Sequence, residues 1–205
     1  MARGATARLF VAVDPPASVR EQLLAWARRA ATRLSAQRPR GALGELRVLE
    51  AEALHVTLCF LGSRPVGEIE VIGSALLECD GGVGELEVGA PLWLPPRRPR
   101  ALAVEVHDRG GGLRSLQAAV TRALTRATDW EAERRHFKAH LTVARTRGRP
   151  LSRRAASTSE PVLPATPPVS FSPAAMILYR SWLSRAGASY EPLATYALGA
   201  AGAAH

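Results

Sequence analysis

The chain has 205 residues, of which 47% are hydrophobic and 22% charged, as is typical of a globular protein with one hydrophobic core. No apolar stretch approaches the roughly 18 residues of a membrane-spanning helix, and Asp14 with two prolines ends the apolar run near the N-terminus too early for a secretory signal. The net charge of +9 favours a polyanionic partner such as nucleic acid, although a compositional bias towards arginine explains it equally well, since Lys138 is the only lysine.

The first half of the chain alternates short apolar stretches with amphipathic ones. Residues 8–13 predict a strand, and the segment after them predicts a helix with Asp14 as its N-cap. Residues 46–62 predict two strands separated by a polar turn, and residues 66–79 predict a second helix. Apolar residues at helical spacing indicate the two helices: Leu23, Trp26, Ala27, Ala30 and Leu34 in the first, and Val66, Ile69, Ile72 and Leu76 in the second.

The second half of the chain continues with strands around one more helix. Residues 112–127 predict that helix, and the segment 147–168, rich in arginine, serine and proline, predicts a loop with at most a short helix. Hairpin-like neighbours rather than a strict βα alternation predict an α+β protein with antiparallel sheets, folded as one compact unit. The predicted strands are residues 85–94, 101–108, 139–145, 176–183 and 188–198.

Two segments of the sequence repeat one pattern about half a chain apart. LHVTLCF (54–60) and AHLTVAR (139–145) each carry a threonine two residues after a histidine inside an apolar strand. Because alternate residues of a strand point to one face, each motif presents a histidine and a threonine together. A single strand histidine is more often structural, but the recurrence favours two pairs that face one cleft. Histidines exchange protons near neutral pH and threonine hydroxyls bind phosphate oxygens, so the pattern suits phosphodiester cleavage.

Four segments of the sequence resemble one protein family: RLFVAVDPP, LHVTLCFLG, HFKAHLTVAR and LYRSWLSRAGASYEPLATYAL. The chain is similar to the two-histidine (2H) phosphoesterase superfamily, in particular to the RNA 2′,3′-cyclic phosphodiesterases formerly described as 2′-5′ RNA ligases. The resemblance implies a bilobal α+β fold in which two antiparallel sheets with approximate two-fold symmetry surround a central cleft, with helices on the outside. It also implies that residues 1–205 form a single domain of two lobes with one motif in each.

The resemblance further implies a reaction and a role for each motif residue. The reaction is the metal-independent hydrolysis of a 2′,3′-cyclic phosphate at an RNA end to a 2′-phosphate, with reverse 2′-5′ ligation as a possible accompanying activity. His140 is the implied general base that activates water, and His55 is the implied acid that protonates the departing ribose oxygen. Thr57 and Thr142 would hold the non-bridging oxygens. Arg145 would also bind phosphate, but in an ideal strand it lies on the face opposite His140, so this role requires a bend or a strand end.

The implied partner is RNA with a 2′,3′-cyclic phosphate end, small cyclic nucleotides being further candidates, and no cofactor, metal ion or membrane is expected. We expect a monomer. The two cysteines, Cys59 and Cys79, lack metal-binding spacing and are too few for a disulfide scaffold, which favours the reducing cytoplasm. Phe137 is a candidate for stacking on a base, whereas Phe60 is expected in the core. The arginine-rich segments PPRRPR and ARTRGRP are candidates for guiding RNA.

The sequence departs from the family pattern at Ala139, where proline is usual, and in the segment 147–168, which is too rich in proline for the helix usual there. Other enzyme classes find less support. The glycine-rich segment 109–115 lacks the lysine of a P-loop and favours a plain turn over an anion-binding nest. HExxH, CxxC, HxH and GxSxG motifs are absent, which argues against a zinc hydrolase or a serine hydrolase. The alternative from another class is a non-catalytic, basic RNA-binding module, which would depend on arginines and not on the two histidines.

Overall fold

The computed structural model describes residues 5–36, 46–79, 81–96, 98–146, 163–184 and 187–199. Its three α-helices are α1 (Ala17–Ala36), α2 (Ile69–Leu77) and α3 (Gly112–Ala127), close to the bounds that the sequence predicts. Within the described residues, none of these helices combines the length and the apolar character needed to cross a membrane.

The first of two antiparallel sheets has four strands. These are β1 (Thr6–Val13), β3 (Val56–Pro65), β8 (Ala175–Ser184) and β9 (Gly187–Ala197), in the spatial order β3-β1-β8-β9. The strand nearest the N-terminus therefore lies between the first histidine motif and the C-terminal hairpin. All three pairings are antiparallel.

The second sheet has five strands in the order β2-β6-β5-β4-β7, and its pairings are also antiparallel. The strands are β2 (Leu46–Val48), β4 (Leu86–Leu94), β5 (Ala101–His107), β6 (His140–Thr146) and β7 (Ser170–Phe171). The predicted α+β class with two antiparallel sheets is thus confirmed, with β3 and β6, which carry the two motifs, in different sheets.

One hydrophobic core joins the two sheets to the helices. Alternate residues of β1 (Leu9, Val11 and Val13) are fully buried on the core side, where they share a cluster with Leu102 and Val104 of β5. Four of the residues that predict α1 are buried in this core together with Val19 and Leu24, and the fifth, Leu34, is also buried. Burial of each such aliphatic side chain contributes about 1.5–3 kcal/mol, so the core fixes which face of each sheet remains available for a site.

Four details of the fold differ from the sequence-based prediction. The helix α1 begins three residues after Asp14, which is not its N-cap; that carboxylate instead binds Arg20 and Tyr179. Val66 lies in a 3₁₀ turn before α2 and is 38% exposed. The strands β2 and β3 lie in different sheets because the segment between them, which includes the 3₁₀ turn Ala51–Ala53, carries the chain from one sheet to the other. The two-residue β7 was not predicted, because so short a pairing leaves no sequence period.

The segment predicted as a loop, residues 147–168, lies mostly outside the described residues. From residue 163 to residue 168 the chain has no regular secondary structure, in agreement with the prediction for that part. In this part the carbonyl of Pro164 accepts a hydrogen bond from Nε1 of Trp26, at 3.0 Å. The end of the loop is therefore held against the buried face of α1.

Candidate active site

His55 lies immediately before β3, in an aromatic environment. Its ring centroid is 4.8 Å from that of Phe10 and 5.0 Å from that of Tyr190, whose ring stands edge-on to it. The ring of Tyr179 is nearly parallel to that of His55, with 6.0 Å between centroids. Phe10 and Tyr179 belong to a small cluster separate from the main core. The four-stranded sheet thus uses one face for the core and the other to surround His55.

Thr57 lies on the same face as His55 because of the pairing between β1 and β3. Residues directly opposite each other in an antiparallel pair share a face, and Thr57 is opposite Ala12, while Phe60 is opposite Phe10. The register shifts between these pairs, because Leu58 is an extra residue in β3 and forms a β-bulge. This bulge brings Phe60 to the face of Thr57, whereas strict alternation would direct it to the core.

The second motif has the same irregularity at the same place. His140 is opposite Glu105, Thr142 is opposite Ala103, and Arg145 is opposite Ala101, with an extra residue, Val143, between the last two pairs. Glu105, Ala103 and Ala101 alternate along β5 and share one face. The bulge therefore places Arg145 on the face of His140 and Thr142. The bend that the sequence required for Arg145 is this bulge.

The two motifs are thus related by structure as well as by sequence. In each, the threonine lies opposite a fully buried alanine of the neighbouring strand, Ala12 in one sheet and Ala103 in the other. In each, a bulge brings the residue five positions after the histidine to the same face. That residue is Phe60 in the first motif and Arg145 in the second, so only the second half supplies a positive charge at this position.

The two motif-bearing faces meet in one region, which we call the cleft. The strands β3 and β6 are in contact across the two sheets. Burial lowers the pKa of His55 to about 4, and the positive charges of Arg145, Arg20 and His140 contribute to this shift. These contributions place His140 and Arg145 close enough to interact electrostatically with His55. The strands that carry the two motifs are therefore near one another in the structure.

The imidazole of His140 is oriented by the backbone just before it. Its Nδ1 is 2.8 Å from the carbonyl oxygen of Lys138. A carbonyl oxygen only accepts hydrogen bonds, so Nδ1 carries the hydrogen and donates it. In the neutral ring Nε2 then holds a free lone pair, which is the form needed to take a proton from water.

Three residues beside His55 form a hydrogen-bonded group that the sequence did not reveal. Oδ2 of Asp14 accepts hydrogen bonds from Nη2 of Arg20, at 2.7 Å, and from the hydroxyl of Tyr179, at 2.8 Å. Burial and the bond to Asp14 raise the pKa of the Tyr179 hydroxyl, which keeps it protonated as the donor. The only available signal was the polar Asp14 at the end of an apolar strand, and its position before a helix suggested a cap instead.

Arg47 is a second residue that the sequence did not single out. It lies opposite Arg145 in the pairing of β2 with β6, so both arginines are on the cleft face. Its guanidinium lies against Gly187 at the start of β9, where an added Cβ would be 2.7 Å from Nη1. Gly187 also has a φ of 132°, which favours glycine. Arg47 therefore extends from the five-stranded sheet to the hairpin of the other sheet.

Of the two phenylalanines considered in the sequence, Phe60 differs from its prediction as a core residue. Phe60 is only partly buried; it packs in the cluster beside His55, under the guanidinium of Arg8 at 4.6 Å from the ring centroid, and not in the main core. Phe137 packs partly against the main core and also lines a cavity of about 520 Å³ next to His140. This cavity is lined by Glu105, Val106, His107, Asp108, Arg109, Arg114, Phe137, Lys138 and Ala139.

The other candidate features do not form a competing site. The glycine-rich segment before α3 is a turn in which the carboxylate of Asp108 accepts a hydrogen bond from the backbone N–H of Arg114, at 2.9 Å, so an acidic side chain already occupies the helix N-terminus. Of the arginine-rich segments, Arg98 and Arg100 are exposed, whereas Arg97, Arg147 and Arg149 lie outside the described residues. Among the described residues, no three His, Cys, Asp or Glu side chains are grouped to hold a metal ion.

Comparison with protein-family models and with curated proteins finds no match. Solved structures match over almost the whole chain. E. coli LigT complexed with 3′-AMP is 26% identical, with a TM-score of 0.69 over 95% of this chain and 99% of LigT. TT0787 of Thermus thermophilus is 23% identical, with a TM-score of 0.68 over 93% and 97%. A protein described as a phosphoesterase is 24% identical, with a TM-score of 0.69 over 95% and 99%.

E. coli LigT has also been crystallised with phosphate, with ATP and with NADP⁺. The similarity covers both sheets, and the two motifs of this chain meet between those sheets in a symmetric arrangement. The bilobal fold and the paired His-x-Thr motifs, together with the similarity to E. coli LigT, assign the chain to the 2H phosphoesterase superfamily.

Proposed function

We propose that this protein hydrolyses a 2′,3′-cyclic phosphate at an RNA end to a 2′-phosphate, without a metal ion. The observation that carries the proposal is the convergence of His55, His140 and Arg145 on one cleft, with a threonine hydroxyl on each side. The LigT complexes with phosphate and 3′-AMP support a phosphate-bearing nucleotide as the substrate class. Both motifs come from one chain, so a monomer of two lobes supplies the whole site.

In the proposed mechanism the two histidines act on opposite sides of the phosphorus. Nε2 of His140 takes a proton from water, and the water oxygen forms a bond to phosphorus. The bond between phosphorus and the ribose 3′-oxygen breaks, and His55 gives a proton to that oxygen. The product carries a 2′-phosphate. Hydroxyls of Thr57 and Thr142 and the guanidinium of Arg145 bind the non-bridging oxygens, where negative charge increases in the transition state.

The cavity beside His140 is the proposed place for a base. Phe137 supplies a ring for stacking, and Arg109 and Arg114 lie in the same lining. The alternative, a basic RNA-binding module without catalysis, is motivated by the net charge of +9. It gives no reason for two oriented histidines on one cleft, and it predicts that binding needs arginines while His55 and His140 are dispensable.

The direct test is the identity of the product. Purified protein incubated with an oligoribonucleotide that ends in a 2′,3′-cyclic phosphate, in the presence of EDTA, is expected to release only the 2′-phosphate isomer. The 2′- and 3′-phosphates are separable by chromatography, and a matched oligonucleotide with a linear 3′-phosphate serves as the control substrate. A 3′-phosphate product, or activity that disappears with EDTA, would contradict the proposed reaction.

Occupation of the cleft by an anion is expected to raise the pKa of His55. In the free protein this pKa is lowered to about 4, so the ring is neutral at pH 7 and is not yet an acid. A phosphate bound beside it favours the imidazolium and is expected to raise the pKa by about 1–3 units. His55 then stays protonated up to a higher pH, and the alkaline limb of kcat lies above that of kcat/KM.

NMR titration of the histidine ring resonances with and without inorganic phosphate measures this shift, and His55→Ala identifies the resonance. His136, which is exposed, provides an internal reference. If phosphate binds in the cleft and the pKa of His55 does not change, His55 does not act on the bound phosphate.

A further inference from the structure

Two buried side-chain polar atoms in the described part of the chain have no hydrogen-bond partner, and both lie at the cleft. They are Oδ1 of Asp14 and Nδ1 of His55. Buried polar atoms without a partner are uncommon in native proteins, because each costs roughly 1–3 kcal/mol. Asp14 follows β1 and His55 precedes the neighbouring strand β3. Oδ1 of Asp14 is an acceptor and Nδ1 of His55 can carry a hydrogen, so the two atoms suit one another as hydrogen-bond partners.

The strand register brings these two residues together. Val13 and Val56 are the last opposite pair of β1 and β3. In an antiparallel pair the next position after Val13 is opposite the position before Val56, and these positions are Asp14 and His55. Opposite residues share a face, so both side chains lie on the cleft side of the sheet.

Tyr179 connects the same two side chains. Its hydroxyl donates to Oδ2 of Asp14, and its ring lies nearly parallel to the ring of His55. Arg20 donates to the same Oδ2, so that oxygen is held by two donors while Oδ1 has none. A carboxylate has about four lone-pair sites, which leaves Oδ1 free to accept a hydrogen bond from a neighbour.

We infer that Asp14 is a positioning residue whose Oδ1 accepts the Nδ1–H of His55, directly or through one water molecule. The consequence of this hydrogen bond for catalysis rests on the proposed function, whereas the existence of the bond does not depend on that function. The bond fixes the neutral imidazole as the Nδ1–H tautomer, with Nε2 towards the cleft. Both histidines then present Nε2 to the phosphate, and each is held at Nδ1 by the protein.

The different partners of the two histidines account for their different roles. His140 donates from Nδ1 to a neutral carbonyl, that of Lys138, which orients the ring without adding a charge. His55 donates to a carboxylate, which favours the imidazolium form. A ring beside a carboxylate is the better proton donor to the departing oxygen, and the ring beside a carbonyl is the better acceptor from water. The pair Asp14–His55 thereby assigns the acid.

The carboxylate of Asp14 opposes the effect of the positive charges near His55, which lower the pKa of that histidine. The charged and titratable groups that contact His55 or act on its pKa are Arg20 of α1, Tyr179 of β8, Tyr190 of β9, and His140 and Arg145 of β6. The strand register adds Asp14, which follows β1. Asp14 is the only one of these groups that carries a negative charge at pH 7. Its charge therefore adds to that of the bound phosphate in favouring a protonated His55.

The ring-nitrogen chemical shifts of ¹⁵N-labelled protein at neutral pH test the hydrogen bond without any substrate. In the wild type, His55 is expected to carry its hydrogen on Nδ1. Asp14→Ala is expected to move that hydrogen to Nε2, the tautomer that free imidazole side chains favour, and to lower kcat by about 10–100-fold with little change in KM. Asp14→Asn keeps an acceptor oxygen without the charge and is expected to retain the Nδ1–H tautomer while kcat still falls.

Arg20→Gln is the matched control, because it breaks the same ion pair but leaves the carboxylate in place. It is expected to keep the Nδ1–H tautomer of His55. If Asp14 only stabilises the fold, the two variants will change the spectrum of His55 alike, and the inference is wrong. The inference is also overturned if wild-type His55 carries its hydrogen on Nε2. Absence of cyclic phosphodiesterase activity, with the tautomer as expected, would overturn the proposed function and not this hydrogen bond.

Discussion

His140→Ala is expected to lower kcat for a 2′,3′-cyclic phosphate substrate by roughly 10²–10⁴-fold, which is the usual contribution of one general base. The bond from Nδ1 to the Lys138 carbonyl leaves Nε2 as the only basic atom of this ring, so alanine removes the proton acceptor completely. His55→Ala is expected to cause a loss of similar size by removing the acid. Turnover under substrate saturation and the dissociation constant of a non-hydrolysable nucleotide phosphate measure the two effects separately.

Substrate binding should survive these changes better than turnover, because Thr57, Thr142 and Arg145 still hold the phosphate oxygens. His136→Ala is the matched control: it removes an exposed histidine four positions before His140 and should leave both quantities unchanged. Turnover near the wild-type level in either catalytic-histidine variant would contradict the acid–base assignment and would favour the RNA-binding alternative.

Arg145→Gln is expected to lower kcat/KM by roughly 10²-fold, because charge-assisted hydrogen bonds to a phosphate contribute up to about 3 kcal/mol. The bulge at Val143 is the reason for this expectation, since it brings the guanidinium to the face of His140. Arg145→Lys keeps the charge and loses the forked geometry, so it should recover part of the loss. Steady-state kinetics on the cyclic substrate measures both variants.

The same Arg145 variant has an independent readout in the free protein. Arg145 is the charged neighbour that contributes most to lowering the pKa of His55, so its neutralisation should raise that pKa, as followed by NMR titration. Arg126→Gln on the outside of α3 is the matched control, because it removes one exposed positive charge away from the cleft. It should change neither kcat/KM nor the pKa of His55. A loss of activity without a change in the pKa of His55 would place Arg145 outside the cleft.

Local patterns in the sequence are sufficient to predict the helices, the longer strands and the motif pair. The apolar period of 3.6 predicted α1 and α2, and alternation with turn residues predicted the longer strands. Repetition of His-x-Thr in two apolar strands predicted a common site, because packing alone gives no reason for the repeat. These features are local, so short-range patterns are sufficient to show them.

The tertiary structure alone decided which residues join the motifs in the cleft. A β-bulge depends on the pairing with a neighbouring strand, so the sequence period placed Arg145 on the wrong face and Phe60 in the core. Similarly, Asp14 lies 41 positions before His55 in the chain, and only the pairing of β1 with β3, which ends at Val13 opposite Val56, brings them near each other. Strand pairing is a long-range choice made by the whole core, which is why the second group of site residues became visible only when the two sheets were assembled.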